Sequence, residues 1–439
     1  MNLPASELRR PPGPEDILSP GVDADTLELL LDLKRRYGNV VRMRKPDGRD
    51  ALFINDAADV RRLLVRRHEN YRKGPGFERV KMLLGNGLIV SDGDTWRRSR
   101  TMVQPAFSKK NLHRLLETML ECCEQRAIRW QALANAGEAI NITRETSDFA
   151  LELILRSIFG HDYESAIVSD GNNPFAFLSQ DSTRDLAVVL KIRELHELLL
   201  EIIARRRASA PTDAFDFLAA YLLARDKDGK EFSDGELLDE LVTLIVAGYE
   251  TSAGTLNWAW YLLAGHEEAQ ERLLDEANAT LGTADSIDAG LLTQMNYAQQ
   301  VLEETLRLYP PVWLFTRRAV REDSLSEFEL AAGTDIYLSP YILHRSEDYW
   351  REASSFNPDR FAADRAYKKG ERPYFPFSLG PRRCLGEYFS FVEMKIHLGQ
   401  LVQKFRMTLP DDAEPGLDLG INLRSANDIW LKPELRRPA

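Results

Sequence analysis

One segment near the middle of the chain constrains the fold more than any other. Ser233 and, three residues later, Glu236 form the pattern of a capping box, which predicts the first turn of a helix. The helical pattern then continues to about Gly265. Its middle part is apolar on all sides, and a helix that is hydrophobic all round is buried in the protein. The sequence therefore predicts one long, buried helix between these residues.

The rest of the chain also shows mainly helical patterns. These lie at about 56–160, up to Arg207, from Gly265 to Tyr309 and at 385–404, and strand patterns lie at 39–55, at 315–340 and in the C-terminal tail. The stretch 351–383 is irregular, and structureless runs of this length are normally functional. Residues 1–20 are rich in proline and predict an extended N-terminal arm. We expect a mainly α fold with a small β region, organised as a single domain over residues 1–439.

The charge balance and the cysteine count exclude several classes of protein. The 439 residues include 57 basic and 68 acidic side chains, and the net charge of −11 argues against general nucleic-acid binding. Three cysteines cannot form a disulfide framework, which favours a reducing, cytoplasmic location. The N-terminus lacks the apolar stretch of a signal peptide, and no segment approaches the ~18 apolar residues of a membrane-spanning helix. We therefore expect neither a nucleic-acid partner nor a membrane partner.

Common catalytic motifs are missing from the sequence. The two closest histidines, His161 and His196, are 35 residues apart, so no pair has the spacing of a helical zinc site. The chain also lacks G-x-G-x-x-G, G-x-x-x-x-G-K-[ST] and G-x-S-x-G. The sequence therefore contains no usual motif of a dehydrogenase, a phosphate-loop enzyme or a serine hydrolase.

The third cysteine lies in an unusual loop just before the last predicted helix. The loop reads Phe377-Ser-Leu-Gly380-Pro-Arg382-Arg-Cys384-Leu-Gly386. A thiol at this place is close to a helix N-terminus and to arginines, and both favour the thiolate. The flanking glycines allow the backbone to approach a flat ligand closely. An arbitrary cysteine is more often a small buried apolar residue, but this spacing of Phe, Gly and Arg favours a ligand.

This loop resembles the haem-ligand signature F-x-x-G-x-R-x-C-x-G of the cytochrome P-450 family, and all five specified positions match. The resemblance implies the cytochrome P-450 fold and a haem b cofactor (iron protoporphyrin IX). It implies that Cys384 is the proximal thiolate ligand of the iron, a ligand that favours O–O cleavage. It further implies that Arg382 pairs with a haem propionate, that Phe377 packs beside the thiolate, and that Gly386 completes the cofactor-binding loop.

The long helix contains a second pattern in the run Ala247-Gly248-Tyr249-Glu250-Thr251. A glycine costs ~1 kcal/mol in a helix interior, and a buried helix does not favour an acid and a hydroxyl at its centre. Such departures from local rules often mark function. The alternative is that Thr251 bonds back to the carbonyl of Ala247 and only bends the helix.

This run resembles the A-G-x-[D/E]-T helix of the same family. The resemblance implies that Ala247 and Gly248 leave room for dioxygen. It implies that Glu250 and Thr251 are catalytic and organise water and proton delivery.

A third pattern is Glu304-x-x-Arg307 before Tyr309-Pro310-Pro311. By itself it could be an ordinary surface ion pair, since residues three apart on a helix are neighbours. It resembles the Glu-x-x-Arg helix of the family, and the resemblance implies a structural trio with Arg360 that holds the cysteine loop.

A fourth pattern places Trp96 and Arg100 four residues apart on one helix face. They could be a half-buried tryptophan beside a solvated basic face. The pattern resembles the family's W-x-x-x-R element, and the resemblance implies that both side chains bind haem propionates. Arg317 resembles a further propionate ligand, although Arg318 could take that role.

The family resemblance implies a monooxygenase that inserts one oxygen atom of O2 into a hydrophobic small-molecule substrate by hydroxylation or epoxidation. It implies that electrons come from a separate ferredoxin or flavodoxin with its NAD(P)H-dependent reductase. A peroxygenase of the same fold and a non-catalytic haem sensor or electron carrier are alternatives. Glu250 and Thr251 argue against a peroxygenase, and the lack of C-x-x-C-H argues against an electron carrier.

Two regions carry further expectations. The segment between Phe159 and Arg207 is shorter than the resemblance leads us to expect. The resemblance implies that residues 160–205 of this chain form the lid over the substrate pocket. A basic docking face for an acidic electron donor could form despite the net charge, because local potential steers such encounters. Scattered solvated charges are the alternative. The residues considered for this face are Arg97, Arg98, Lys109, Lys110, Arg383 and Lys395.

Overall fold

The computed structural model describes residues 9–168, 173–180, 186–209, 213–282, 287–363 and 373–436. Its helices are α1 (Ala24–Tyr37), α2 (Ala57–Arg61), α3 (Phe77–Leu84), α4 (Gly93–Val103), α5 (Lys109–Leu112), α6 (Leu116–Ala136), α7 (Ile142–Phe159), α8 (Phe177–Gln180), α9 (Leu186–Ala208), α10 (Phe217–Leu223), α11 (Asp234–Ala264), α12 (Glu267–Thr280), α13 (Ala289–Gln294), α14 (Asn296–Leu308), α15 (Pro340–Leu343) and α16 (Glu387–Lys404).

The strands are short. They are β1 (Val40–Arg44), β2 (Asp50–Ile54), β3 (Tyr71–Lys73), β4 (Ile140–Asn141), β5 (Phe315–Ala319), β6 (Asp323–Leu325), β7 (Phe328–Leu330), β8 (Asp335–Leu338), β9 (Phe405–Thr408), β10 (Asp418–Leu419), β11 (Leu423–Arg424) and β12 (Trp430–Leu435). The expected mainly α fold with a small β region is confirmed.

The chain divides into two compact units. The first consists of Met1–Glu78, Glu303–Cys384 and Gly416–Ala426, and the second of Arg79–Leu302, Leu385–Pro415 and Asn427–Ala439.

A five-stranded sheet organises the first unit, in the order β1-β2-β8-β5-β3. β1 and β2 form an antiparallel hairpin within the predicted strand pattern at 39–55, and Val41 lies opposite Phe53. Gly48 has a φ of 78° in the turn, a left-handed conformation that glycine adopts without strain. β2 pairs parallel with β8, and β8 pairs antiparallel with β5. Leu52, Ile336 and Leu338 form part of the apolar core on this sheet.

The second unit is built around α11, which has 31 residues. The predicted capping box is present, because Ser233 and Glu236 each accept a bond from the backbone of the other. A three-stranded sheet in the order β4-β12-β9 completes this unit. Among the residues that the structure describes, no helix is both long enough and apolar enough to cross a bilayer.

Several expectations fall partly outside the described residues. Residues 9–20 of the expected N-terminal arm contain two isolated bridges, from Arg9 to Phe328 and from Ile17 to Arg44, and residues 1–8 are outside the described part. The expected shortening at 160–205 includes 169–172 and 181–185, which are also outside it. The expected irregular stretch 351–383 contains 3₁₀ turns at Pro358–Phe361 and Gly380–Arg382, and its residues 364–372 are outside the described part.

Candidate functional site

The loop before Cys384 is held in one conformation by its own backbone. The Cys384 N–H donates to the carbonyl oxygen of Phe377 at 3.0 Å, which closes the loop. Gly380 has a φ of 70°, and a Cβ at this position would overlap the carbonyl oxygen of Leu64. Ser378 also has a positive φ, of 60°, although it is not glycine. Such backbone costs about 1–3 kcal/mol and is found most often at functional sites.

The three cysteines have different environments. Cys122 and Cys123 are buried on α6, and burial raises the pKa of both thiols. Neither is therefore a ready source of thiolate. Cys384 is exposed. Within the described residues, no group of three or more His, Cys, Asp or Glu side chains could hold a metal ion. Of the three cysteines, Cys384 is thus the exposed one.

Glu304 and Arg307 form a buried ion pair in the first unit. The Arg307 Nε donates to Glu304 Oε2 at 2.7 Å, and its Nη2 donates to Oε1 at 2.8 Å. Arg360 Nε donates to the same carboxylate at 3.2 Å. Since the side chains of Glu304 and Arg307 are both 0% exposed, the interpretation as a surface pair is wrong. The geometry of the expected trio is confirmed.

The trio binds the backbone of the irregular stretch that leads to the cysteine loop. Arg307 donates to the carbonyl oxygens of His344 at 2.9 Å, Ala353 at 2.6 Å and Ser355 at 3.1 Å. Arg360 donates to the carbonyl oxygen of Glu352 at 2.8 Å. Because each guanidinium bridges Glu304 and several backbone carbonyls, the trio fixes the course of residues 344–355.

His344 was not found by the sequence analysis. Its Nε2 accepts the N–H of Phe375 at 3.0 Å, two residues before Phe377. Burial, followed by the charges of Arg307 and Arg345, lowers the pKa of His344 well below its usual value. The imidazole is therefore neutral and can accept this hydrogen bond. No motif marks a lone histidine, so no sequence signal could have identified it.

Arg317 and Arg318 point to opposite sides of β5, as neighbours on a strand do. Arg318 pairs with Asp335 of β8 at 2.5 Å, and Lys45 donates to the same carboxylate at 2.6 Å. Arg317 is buried, and its guanidinium lies 5.0 Å from the ring centre of Phe315. Arg318 is thus committed to the sheet. This arrangement favours Arg317 as the ligand of an anion.

Arg382 ends the 3₁₀ turn Gly380–Arg382, and Gly386 lies directly before α16. In the second unit, Trp96 and Arg100 are both half-buried on one face of α4. Arg100 Nε also donates to Gln104 Oε1 at 3.3 Å.

The candidate oxygen-binding run lies inside α11. The Thr251 hydroxyl donates to the carbonyl oxygen of Ala247 at 2.9 Å, so the hydrogen bond of the alternative interpretation is present. Glu250 is buried. A Cβ at Gly248 would lie 2.7 Å from the side chain of Ile154, so the packing of α11 on α7 also requires a glycine. The roles in oxygen binding and proton delivery stay predictions.

A buried carboxyl next to this run was also missed. The Ser252 hydroxyl donates to Glu393 of α16, and both residues are buried. Burial raises the pKa of Glu393 to about 8. Most positions of α16 are buried, and Glu393 is one of them. The sequence around Glu393 does not distinguish it from an exposed acid, so its burial could not be predicted.

The expected basic docking face needs two corrections. Lys395 is buried and donates to the carbonyl oxygen of Leu292 at 3.3 Å, so it is not available to a partner. Arg98 is bound to Asp226 and Glu236, each at 2.7 Å. Both side chains thus make their contacts within the fold. The sequence analysis did not foresee this, because the spacing of residues shows neither burial nor a distant pairing partner.

The chain is similar to known proteins along most of its length. The family model described as cytochrome P450 matches residues 20–427. The chain belongs to the cytochrome P450 family. Cyclooctatin synthase of Streptomyces melanosporofaciens is 31% identical over 365 residues, which are 79% of this chain and 78% of that protein. Pentalenene oxygenase of Streptomyces avermitilis is 28% identical over 395 residues, which are 86% of each chain.

A solved structure has the same fold. The crystal structure of the cytochrome P450DA haem domain superposes with a TM-score of 0.85 at 23% identity and covers 98% of both chains. Together with the family match, the relatives show that this protein is a cytochrome P450 monooxygenase. As a cytochrome P450 it binds haem and iron and uses dioxygen, a substrate and redox partners.

The residues of this cytochrome P450 fit a haem group. A haem iron with a thiolate ligand needs one accessible cysteine, and Cys384 is exposed while the other two are buried. The closed backbone of residues 377–384 holds that cysteine in place. A haem also carries two propionates, for which Arg317 and Arg382, both in the first unit, could provide cations.

Proposed function

We propose that this cytochrome P450 hydroxylates or epoxidises a hydrophobic small molecule with one oxygen atom of O2. Cys384 carries the proposal, because it is the exposed thiol of a loop that its own N–H closes on Phe377. The relatives support an apolar substrate class, since pentalenene oxygenase is named for pentalenene. Hydroxylation of such a molecule needs no charged group in the pocket.

We assign the cofactor as haem b, held without covalent attachment. When bound, the haem supplies oxygen activation, and a thiolate ligand favours cleavage of the O–O bond. Cys384 provides that thiolate, with Phe377 and Gly386 beside it. The propionate ligands are Trp96, Arg100, Arg317 and Arg382. Arg317 is assigned over Arg318 because Asp335 already pairs with Arg318.

The residues of α11 then act on the oxygen side of the reaction. Ala247 has a small side chain and leaves room for dioxygen. The position of a side chain at Gly248 is filled by Ile154, so only the backbone of Gly248 borders this space. The Thr251 hydroxyl carries a proton and donates it in a hydrogen bond to the carbonyl oxygen of Ala247. The hydroxyl can rotate and donate to another acceptor instead. The carboxyl of Glu250 supplies protons to that hydroxyl. A positioned proton donor of this kind contributes about 10²–10⁴ in rate.

The assignment of Cys384 is tested by the spectrum of the reduced, carbon-monoxide-bound protein. The wild type is expected to show the thiolate-type spectrum, and Cys384→Ala is expected to lose it. Cys122→Ala is the matched control and is expected to keep it, because Cys122 is buried on α6. Retention of the thiolate-type spectrum in Cys384→Ala would show that another residue binds the iron.

The substrate class is tested by the change of haem spin state on substrate addition. Pentalenene is the first compound to add, followed by a medium-chain fatty acid. We expect a low-spin to high-spin shift with at least one apolar compound. A shift only with polar compounds that lack an apolar chain would contradict the proposed substrate class.

A cytoplasmic location of the protein stays a prediction. The electron donor is proposed to be a separate ferredoxin or flavodoxin with its NAD(P)H-dependent reductase. The test is turnover of the substrate found by the spin-state measurement with each donor and with hydrogen peroxide. Faster turnover with a reduced donor protein supports the monooxygenase route. Equal or faster turnover with hydrogen peroxide would favour the peroxygenase alternative.

A further inference from the structure

One hydrogen bond joins helix α11 to helix α16 in the interior of the second unit. The Ser252 hydroxyl of α11 donates to the carboxyl of Glu393 on α16, and the two residues are 2% and 1% exposed. Ser252 directly follows Thr251, the proposed proton donor, and α16 begins three residues after Cys384, the proposed ligand of the iron. Glu393 is therefore bound to both of the elements to which the proposed function assigns the haem chemistry.

Glu393 is a buried acid without a compensating cation. Among the residues that the structure describes, no arginine, lysine or histidine pairs with it, and Lys395 of the same helix donates to the carbonyl oxygen of Leu292. Glu393 is the seventh residue of α16 and lies beyond the first turn, where a helix stabilises negative charge. Burial raises the pKa of Glu393 to about 8, and the hydrogen bond from Ser252 acts in the opposite direction.

The titratable groups around Glu393 do not neutralise its charge either. His397 lies one turn further along α16, and burial, followed by the charge of Arg126, lowers its pKa to about 3, so the imidazole is neutral. On α6, burial raises the pKa of the Cys123 thiol, and Arg126 donates to Glu152 at 3.0 Å. Within the described part of α11, α12, α13 and β9, no acid or base interacts electrostatically with Glu393. An ionised Glu393 is thus a nearly isolated negative charge in the interior.

We propose that Glu393 couples reduction of the haem iron to the uptake of one proton. One electron from the donor protein converts Fe(III) to Fe(II), and one proton from the solvent binds the ionised carboxylate of Glu393. The two negative charges repel each other strongly in a low-dielectric interior, so the added electron makes the carboxylate bind a proton more tightly. This inference rests on the proposed function, which supplies the electron donor.

The same coupling makes the haem harder to reduce once Glu393 is ionised. The ratio of reduced to oxidised haem at a fixed potential should fall as the pH rises through 8, by no more than tenfold per pH unit, because one proton is bound per electron. Glu393 lies seven residues after Gly386, about 10 Å along the helix. Over roughly this distance, one unit charge changes an equilibrium on the order of tenfold at an effective dielectric constant of about 20. We therefore expect a total change of about tenfold.

A redox titration followed by the Soret absorbance, at several pH values between 6 and 9.5, measures the coupling. Glu393→Gln retains an acceptor for Ser252 but does not titrate. Its reduction equilibrium should equal that of the wild type at pH 6 and should favour the reduced haem about tenfold more at pH 9.5. Glu117→Gln removes an exposed acid of α6 and is the control, which is expected to follow the wild type at every pH.

Ser252→Ala shifts the titration of Glu393 without removing the acid. The variant loses the hydrogen bond that favours the ionised carboxylate, so the fall in the reduction equilibrium should begin about one pH unit higher than in the wild type. Ser147→Ala is the matched control, because the Ser147 hydroxyl on α7 donates to the carbonyl oxygen of Thr143 at 2.8 Å. It should leave the pH dependence unchanged. If Glu393→Gln does not fold, Ser252→Ala still decides the question, because a merely structural bond would not move the curve to higher pH.

Infrared difference spectra of the reduced minus the oxidised protein, recorded above pH 8, identify the group that takes up the proton. Protonation of a buried carboxylate produces a carbonyl band of the carboxylic acid, which shifts in deuterated water. The wild type and Glu117→Gln are expected to show this band on reduction, and Glu393→Gln is expected to lack it.

Three results would overturn the proposal. They are a wild-type reduction equilibrium that does not change between pH 6 and pH 9.5, the same pH dependence in the wild type and Glu393→Gln, and a carboxylic acid band that persists in Glu393→Gln. A wild-type protein that forms no product from apolar compounds would instead overturn the proposed function. The redox titration needs neither a substrate nor turnover, so the two failures are distinguishable.

Discussion

Glu304 shows how this protein stabilises a fully buried charge. Its two carboxylate oxygens accept hydrogen bonds from Arg307 and Arg360, and the remaining N–H groups of Arg307 bind backbone carbonyls. A buried ion pair contributes little net stability compared with apolar residues, but removal of one partner is costly. The trio therefore acts mainly by fixing the course of the backbone before the cysteine loop.

Arg307→Ala should destabilise the protein by about 3–5 kcal/mol, because the buried carboxylate of Glu304 loses its main partner. We expect a lower melting temperature and a lower haem content, measured by thermal unfolding and absorbance. The control is Arg35→Ala, which breaks an exposed Asp32–Arg35 pair with the same spacing and the same order of acid and base. Wild-type stability and haem content in Arg307→Ala would contradict the structural role.

Glu393 is the second residue with a testable electrostatic effect. Its pKa in the folded protein is raised to about 8 by burial, from a usual value of 4.5. Because the folded state holds the proton more tightly than the unfolded state, Glu393 favours folding at low pH. This contribution is complete below pH 4.5 and is lost as the pH rises towards 8, by at most ~1.4 kcal/mol per pH unit.

Glu393→Gln should remove this dependence while it keeps an acceptor for Ser252. The free energy of unfolding, measured with urea between pH 5 and pH 7.5, should fall with pH more steeply in the wild type than in the variant. Glu117→Gln, on the exposed side of α6, is the control for the loss of a carboxylate. Parallel curves for the wild type and Glu393→Gln would show that Glu393 titrates alike in both states.

At the scale of an element, α11 contains two threonines whose hydroxyls make the same kind of hydrogen bond. Thr251 and Thr255 both donate to the carbonyl oxygen four residues before, at 2.9 Å and 2.8 Å. Such bonds are an ordinary feature of helical threonines and slightly bend a helix. The hydrogen bond of Thr251 therefore does not separate the structural role from the catalytic role, and only a functional comparison of the two positions can do so.

Thr251→Ala should keep haem and substrate binding but divert electrons from product into hydrogen peroxide. We expect the product formed per NAD(P)H consumed to fall about tenfold or more, since a positioned proton donor is lost. Thr255→Ala removes the same kind of helical hydrogen bond one turn later and is expected to couple electrons as the wild type does. Equal coupling in Thr251→Ala and Thr255→Ala would leave Thr251 with the structural role alone.

At the scale of the whole molecule, the net charge of −11 would repel an acidic donor protein. The exposed residues of the second unit nevertheless include Lys109 and Lys110 of α5, and Lys109 lies 5.0 Å from the ring centre of Tyr388. Local potential decides such encounters, and salt screens it with a Debye length of about 8 Å at physiological ionic strength.

Lys109→Gln with Lys110→Gln should therefore slow reduction by an acidic ferredoxin or flavodoxin and leave substrate binding unchanged. The measurement is the rate of haem reduction at two salt concentrations, and added salt should slow the wild type more than the double variant. Lys227→Gln, also exposed on the second unit, is the control. A wild-type rate that does not depend on salt would exclude this docking face.

The sequence by itself determined the features that depend on short stretches of chain. The ten residues from Phe377 to Gly386 specify the cysteine loop, the pair Ser233 and Glu236 specifies the start of α11, and both can be recognised because the interacting residues are neighbours. The family, the fold class and the reaction class followed from four such patterns in order.

Only the tertiary structure decided which distant residues meet. Phe375 binds His344, 31 residues away, Ser252 binds Glu393, 141 residues away, and Asn86 binds Asp239, 153 residues away. Lys395 and Arg98 were wrongly expected on the basic docking face for the same reason, since Lys395 is buried and Arg98 is paired. A local pattern states which face of an element is polar or apolar, whereas long-range partners depend on how whole elements pack, and one sequence alone does not encode that packing in any short motif.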